Sequence, residues 1–202
     1  MPNEALIALA TLAAYLLGSV PFAVIVSRAF RLADPRTYGS KNPGATNVLR
    51  SGNKKAAALT LLGDALKGWL AVFLAQHYQL GNLAIGLVAL AVFFGHLYPI
   101  FLRFKGGKGV ATAAGVLFGL NPALGVGVIG VWVSVAFASR YSSLAAVCAA
   151  AAAPLLTGML VGSSGGTLPV VCILSAALIV KHWQNIQRLM TGQEGKIGSK
   201  KS

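Results

Sequence analysis

Residues 110–139 read VATAAGVLFGLNPALGVGVIGVWVSVAFAS, and the way this stretch is divided decides the fold. As one long apolar helix it would leave Arg140 and the basic tail on the far side of a membrane from the other basic loops. Divided at Asn121-Pro122, it lets every basic cluster fall on one side. Proline suits the first turn of a new helix and disfavours helix in the residue before it. The excess of Lys and Arg on cytoplasmic loops then favours seven segments, with the N-terminus outside and the C-terminus inside. The first piece, 110–120, would be only about 16 Å long as a helix. It reads as a short span, a half-helix or a re-entrant piece, and five or six full spans are the alternative.

Composition sets the same frame. The chain has 202 residues, of which 56% are hydrophobic and 10% charged, and its mean hydropathy is +0.72. That is too apolar for a soluble domain and fits an all-α, polytopic membrane bundle formed as one unit over residues 1–202. A formal charge of +13 would point to nucleic acid in a soluble protein. Here inner loops facing anionic lipid account for it, and no nucleic-acid partner is expected. Only four acidic residues occur, Glu4, Asp34, Asp64 and Glu194. They leave little room for a carboxylate metal site, and no metal or cofactor is expected. Cys148 and Cys172 lie in apolar segments and read as packing residues.

Working outward from 110–139, the preceding spans are expected at 5–26, 56–78 and 83–102, and the following ones at 143–161 and 168–182. The first follows Glu4 rather than a basic leader and reads as an uncleaved span. A polar loop, 27–55, carries Arg28, Arg31, Arg36, Lys41, Arg50, Lys54 and Lys55. The tail is basic again at Arg188, Lys196, Lys200 and Lys201. No internal repeat is visible, which disfavours a transporter built from two similar halves. The alanine-rich run 145–153 reads as close helix packing.

Five clusters carry polar chemistry. The stretch 39–50, GSKNPGATNVLR, offers Ser40, Asn42, Thr46 and Asn47 as small donors and acceptors, Gly44 as a flexible point, and Arg50 as a fork for phosphate oxygens. An ordinary Asn-Pro-Gly turn is the bland alternative. Asp64 and Lys67 share one helix face within a span, as a structural ion pair or as part of a site lining. In 95–112, GHLYPIFLRFKGGKGVAT, His96 precedes Arg103, Lys105 and Lys108, which are set among Gly106, Gly107 and Gly109. Glycines let backbone N–H groups converge and the following helix start adds its dipole, an arrangement suited to phosphate. It is no Walker loop, since Gly109 follows Lys108 where Ser or Thr is required. Arg140 stands in a short turn with Ser142 and Ser143, within reach of a phosphate or simply beside a helix cap. Last, His182 and Asn185 are three apart with Arg188 one turn on, followed by Gly192 and Glu194.

These motifs, in this order and at this spacing over nearly the whole chain, resemble the bacterial acyl-phosphate-dependent glycerol-3-phosphate acyltransferases, the PlsY family. Trp183 departs from the resemblance, standing where a more polar residue is expected. The resemblance implies a seven-span enzyme of the bacterial inner membrane with its active site toward the cytoplasm. It implies transfer of a fatty acyl group from acyl phosphate to the 1-hydroxyl of sn-glycerol 3-phosphate, giving lysophosphatidate and phosphate. No metal, cofactor or obligate protein partner is implied. Phosphate contacts would come from Ser40, Thr46, Asn47, Arg50, Lys105, Lys108, Arg140 and Ser143, and from Lys196 folding back from the tail. His182 or a substrate phosphate would take the hydroxyl proton, and Asn185 would orient the hydroxyl or support the oxyanion. Asn42, Gly44, Asp64, Lys67, His96, Gly106, Gly107, Gly109, Arg188 and Glu194 would support the pocket. The His-x4-Asp pattern of other glycerolipid acyltransferases is absent, because Phe101, Asn82 and Gln187 hold the fifth position after His96, His77 and His182. The alternative from another class is a membrane carrier for an organic phosphate or other anion.

Overall fold

The computed structural model describes residues 3–162 and 165–198; Lys200 and Lys201 of the basic tail lie outside them. Every regular element among the described residues is a helix, and none is a strand. Asn121 is extended, and its side chain accepts from Leu124 N, capping a helix with Pro122 in its first turn. The division expected at Asn121-Pro122 is therefore real, with α6 (Val110–Leu120) and α7 (Pro122–Ser139) as separate helices. The helices before them are α1 (Glu4–Ser19), α2 (Phe22–Ala29), α3 (Ala45–Leu49), α4 (Lys54–His77) and α5 (Asn82–Leu97). After them come α8 (Ser142–Leu160), α9 (Thr167–Lys181) and α10 (Trp183–Met190). Asn3 and Asn53 cap α1 and α4 by accepting from Ala5 N and Ala56 N.

Four segments are long and apolar enough to cross a membrane alone: Lys54–His77, Asn82–Leu102, Pro122–Ser139 and Ser142–Leu160. Two bent pairs meet the same test together, α1 with α2 at 41° and α9 with α10 at 56°. The expected first span, 5–26, is thus broken at Val20-Pro21. The span 168–182 is followed by a second short helix that the sequence reading did not separate. Large apolar side chains face outward along the bundle, among them Leu9, Leu62, Leu66, Leu83, Phe137, Leu155 and Met159. In water that surface would be unfavourable, and in lipid it is the expected exterior.

The core is built around α5, whose Val88, Ala89, Val92 and Phe93 are fully covered together with Val116, Leu124 and Val171. Close approach rests on small residues. A side chain at Gly115 would collide with the Ala65 carbonyl on α4, and one at Gly95 with the Tyr15 carbonyl on α1.

Buried charge holds the first bend. Lys67, only 2% exposed, donates to Val20 O at 2.9 Å and pairs with Asp64 at 2.7 Å. The break at Pro21 leaves carbonyls without helical partners, and Lys67 satisfies one of them. A second, small apolar cluster (Ala23, Val48, Ala56 and Ala57) clamps α3 under α2 and the start of α4. That clamp fixes the polar loop of residues 39–50 at one end of the bundle.

Candidate active site

Four segments far apart in sequence meet at that end. Lys108, in the turn ahead of α6, donates to Asn185 Oδ1 on α10 at 2.5 Å. The Asn185 amide donates to Glu194 Oε1 at 2.6 Å. Ser143, in the first turn of α8, donates to the same oxygen at 2.7 Å. Arg188 Nε reaches Glu194 Oε2 at 2.7 Å. One carboxylate thus gathers the helix 183–190, the start of α8 and the tail. Its three hydrogen bonds and the Arg188 charge outweigh the burial that opposes them, so Glu194 ionises below the usual carboxylate range.

α10 is amphipathic in a way that suits this role. Asn185 is buried while Trp183 and Met190 face outward. The outward position of Trp183 explains why an apolar residue is tolerated there. After Gly192 (φ 68°) the tail turns back along the site. Ile197 N donates to Arg140 O at 2.7 Å, and Lys196 Nζ lies 5.7 Å from the Tyr141 ring centre. The tail thus lies against Arg140 and Tyr141.

Lys108 is the central cation. Burial first, then the neighbouring charges of Arg188, Arg50 and Lys181, push its ammonium down to about 8, with Glu194 opposing the shift. His182 sits at the α9–α10 bend, 3% exposed, with Nδ1 2.8 Å from Leu178 O. A carbonyl can only accept, so Nδ1 carries the proton and Nε2 keeps a lone pair. It is close enough to feel the charges of Lys108 and Glu194.

The glycine turn differs in detail from the cradle of amides read from sequence. Gly107 N donates to His96 O at 3.1 Å, so that amide is committed within the turn. The glycines are needed for close approach. A side chain at Gly107 would strike the His96 ring, one at Gly106 the His96 carbonyl, and one at Gly109 Phe93. Only Gly109 has a left-handed backbone, at φ 85°. His96 Nδ1 in turn lies 3.4 Å from Asp64, which pairs with Lys67. The intramembrane pair therefore braces the glycine turn through His96.

Asn47 is buried and gives its carboxamide to the loop: Nδ2 donates to Pro35 O at 2.6 Å and Tyr38 O at 3.2 Å. Its Oδ1 accepts from Ser40 N at 3.0 Å and Arg50 Nη1 at 3.4 Å. It shapes the loop and holds Arg50. Lys105 is exposed and lines a groove with Arg36, Lys41 and Arg103, a groove whose lining does not include Lys108. Ser40, Thr46 and Arg50 remain exposed on the loop, with Arg50 beside Gly39 and Gly195. Asn42 packs its amide against Gly44. Thr46 pairs with Ser142 at 3.1 Å, a residue the sequence reading passed over as turn or cap. Its position next to Ser143 was the available signal.

Fold and pocket define the class: a polytopic helical membrane protein with a cationic, phosphate-suited site at one end of its bundle. Comparison with known proteins gives the family. The family model for glycerol-3-phosphate acyltransferase matches residues 8–192. The glycerol-3-phosphate acyltransferase of Dechloromonas aromatica is 71% identical, covering 96% of this chain and 98% of its own length. That of Paraburkholderia phymatum is 62% identical, covering 93% and 91%. The crystal structure of PlsY (YgiH), an integral membrane glycerol 3-phosphate acyltransferase in its glycerol 3-phosphate form, superposes with a TM-score of 0.89. The two share 36% identity over 95% of this chain and 96% of that one. This chain belongs to the glycerol-3-phosphate acyltransferase family, and the carrier alternative is set aside.

Proposed function

We propose that this chain, as one catalytic domain in the bacterial inner membrane with its site toward the cytoplasm, transfers a fatty acyl group from acyl phosphate to the 1-hydroxyl of sn-glycerol 3-phosphate. The observation that carries the reading is the Lys108–Asn185–Glu194–Ser143 chain of hydrogen bonds, with Arg50 and Arg188 near it and Arg140 bonded to the tail at Ile197. Two phosphates meeting at one site need several cations, and this end of the bundle supplies them. Relatives with the same name and overall fold support the same conclusion.

In the proposed reaction the glycerol hydroxyl attacks the acyl carbonyl carbon. The carbon–oxygen bond to phosphate then breaks, and phosphate leaves with that electron pair. Acyl phosphate is already activated, so no covalent nucleophile on the protein is required. The protein's work is to orient the hydroxyl and hold developing charge. Arg50, Lys108, Arg140, Ser40, Thr46, Ser143 and Lys196 are the proposed phosphate contacts. Asn185 keeps a second N–H and a second lone pair beyond its present bonds, enough to orient the hydroxyl or support the oxyanion. The His182 lone pair accepts a hydrogen bond from the hydroxyl, and the proton ends on a substrate phosphate, whose second pKa is about 6. The acyl chain lies among the helices, entering from lipid.

The test is phosphate release from palmitoyl phosphate by purified protein, with and without glycerol 3-phosphate. Release that requires the acceptor, with lysophosphatidate formed in equal amount, is the expected result. Release without acceptor would mean hydrolysis or an acyl-enzyme. No release from folded protein would overturn the proposal.

A further inference from the structure

A second cationic groove, whose lining does not include Lys108, opens at the same turn. It is about 800 Å³ in volume and is lined by Arg36, Lys41, Arg103, Lys105 and Lys181. Three separate parts of the chain build it: the loop after α2, the turn after residues 100–102, and the end of α9. Asp34 pairs with Arg36 at 2.6 Å, and no other carboxylate of the described residues pairs with these cations. Such a concentration of like charge is unfavourable unless an anion enters it.

The backbone adds a second observation. Lys41, Arg103 and Phe104 adopt left-handed conformations, with φ of 56°, 52° and 62°. Non-glycine residues hold this region at a cost, and such residues gather where a side chain must be aimed. Here the aimed residues are walls of the groove. Apart from Gln184, its remaining wall is largely apolar: Phe101, at the end of the span Asn82–Leu102, and Phe104, just past it, are 61% and 58% exposed. A site for a soluble phosphate would leave those rings in water. At the membrane surface, aromatic rings beside basic side chains match glycerol ester and headgroup together.

We propose that this groove binds one anionic diacyl phospholipid of the surrounding bilayer, its phosphate held by Lys41, Arg103, Lys105 and Arg36 and its upper acyl region against Phe101 and Phe104. The inference is independent of the acyltransferase reading, because its readout is lipid retention and not turnover.

Native mass spectrometry of the full chain, released from detergent with either phosphatidylglycerol or phosphatidylcholine of the same acyl chains, tests it. One phosphatidylglycerol per chain is expected to be retained in preference to phosphatidylcholine. Lys41→Gln combined with Arg103→Gln should weaken that retention roughly tenfold or more, two basic contacts being removed. Lys54→Gln with Lys55→Gln removes the same charge from exposed positions outside the groove and should leave retention within about twofold. Both variants keep the wild-type unfolding midpoint if the difference is in binding. Equal loss in the two double variants would reduce the groove to general basic attraction and overturn the proposal, as would no loss in either. Displacement of the lipid by millimolar inorganic phosphate would overturn the lipid assignment.

Discussion

Lys108 owes its low ammonium pKa to burial beside other cations, and that gives the site a pH signature. With the pKa near 8, Lys108 is charged below that value and loses its proton above it. A bound phosphate dianion would favour the charged form and pull the pKa back up. The KM for glycerol 3-phosphate should therefore rise above pH 8, by up to about tenfold per pH unit. Lys108→Arg, which stays charged, should flatten that rise while costing kcat through its different reach. Lys108→Ala should cost about 10²–10³ in kcat/KM, the range for a lost donor to developing negative charge. His182 separates two proton routes. If a substrate phosphate takes the proton, His182→Gln keeps a hydrogen-bond acceptor and should retain activity within about tenfold, whereas loss of a true general base costs about 10²–10⁴. Steady-state assays across pH 6 to 9 on these folded variants distinguish the outcomes. Sequence made the residue types at this site legible, because lysine, arginine and asparagine at a membrane edge need a reason. It did not show that Asn47 turns inward or that Lys105 faces a different groove, since side-chain direction depends on how the turns close.

Among the elements, the break before Pro122 was readable because proline and a capping asparagine act within a few residues. The helices α3 and α10 were not. α3 is a single short helix pinned by an apolar cluster whose members come from α2 and α4. α10 continues a helical pattern, and only the 56° bend at His182 separates it from α9. The break at Pro21 was marked by the proline, but its stabilising partner, Lys67, lies far along the chain. The tight pairing of α4 with α6 makes a prediction at this scale. Gly115→Ala would place a methyl against the Ala65 carbonyl, 2.8 Å from that carbonyl's carbon and 3.0 Å from Trp69 N. The two helices would have to part, at about 1–3 kcal/mol. The unfolding midpoint in detergent should fall by roughly 2–4 °C for each kcal/mol lost. Gly130→Ala on α7 meets nothing within 4 Å and should leave the midpoint unchanged or slightly raised. Thermal unfolding of the two variants side by side checks the packing directly, and equal behaviour would rule it out.

For the whole molecule, the question is whether the chain crosses the membrane an odd or an even number of times. Four long helices and two bent pairs give six candidate crossings, and the short α6 decides whether there is a seventh. Basic residues argue for the seventh. With α6 crossing, the loop of residues 27–55, the turn at 103–108, Arg140 and the tail all face the cytoplasm, where Lys and Arg accumulate. The folded site demands the same grouping, because Lys108, Ser143, Asn185 and Glu194 touch one another and must share one side. Crossing with a helix as short as α6 would require local thinning, or neighbouring helices covering its ends. With Cys148 and Cys172 replaced by alanine, single cysteines at Glu4 and Gln193 report the two termini, both exposed. In intact cells with a permeable outer membrane, a membrane-impermeant maleimide should label the Glu4→Cys variant. It should label Gln193→Cys only after the inner membrane is opened. Labelling of both in intact cells, or of neither, would mean an even number of crossings and would make α6 a re-entrant piece. The site would then need a different explanation for how its basic segments reach one side.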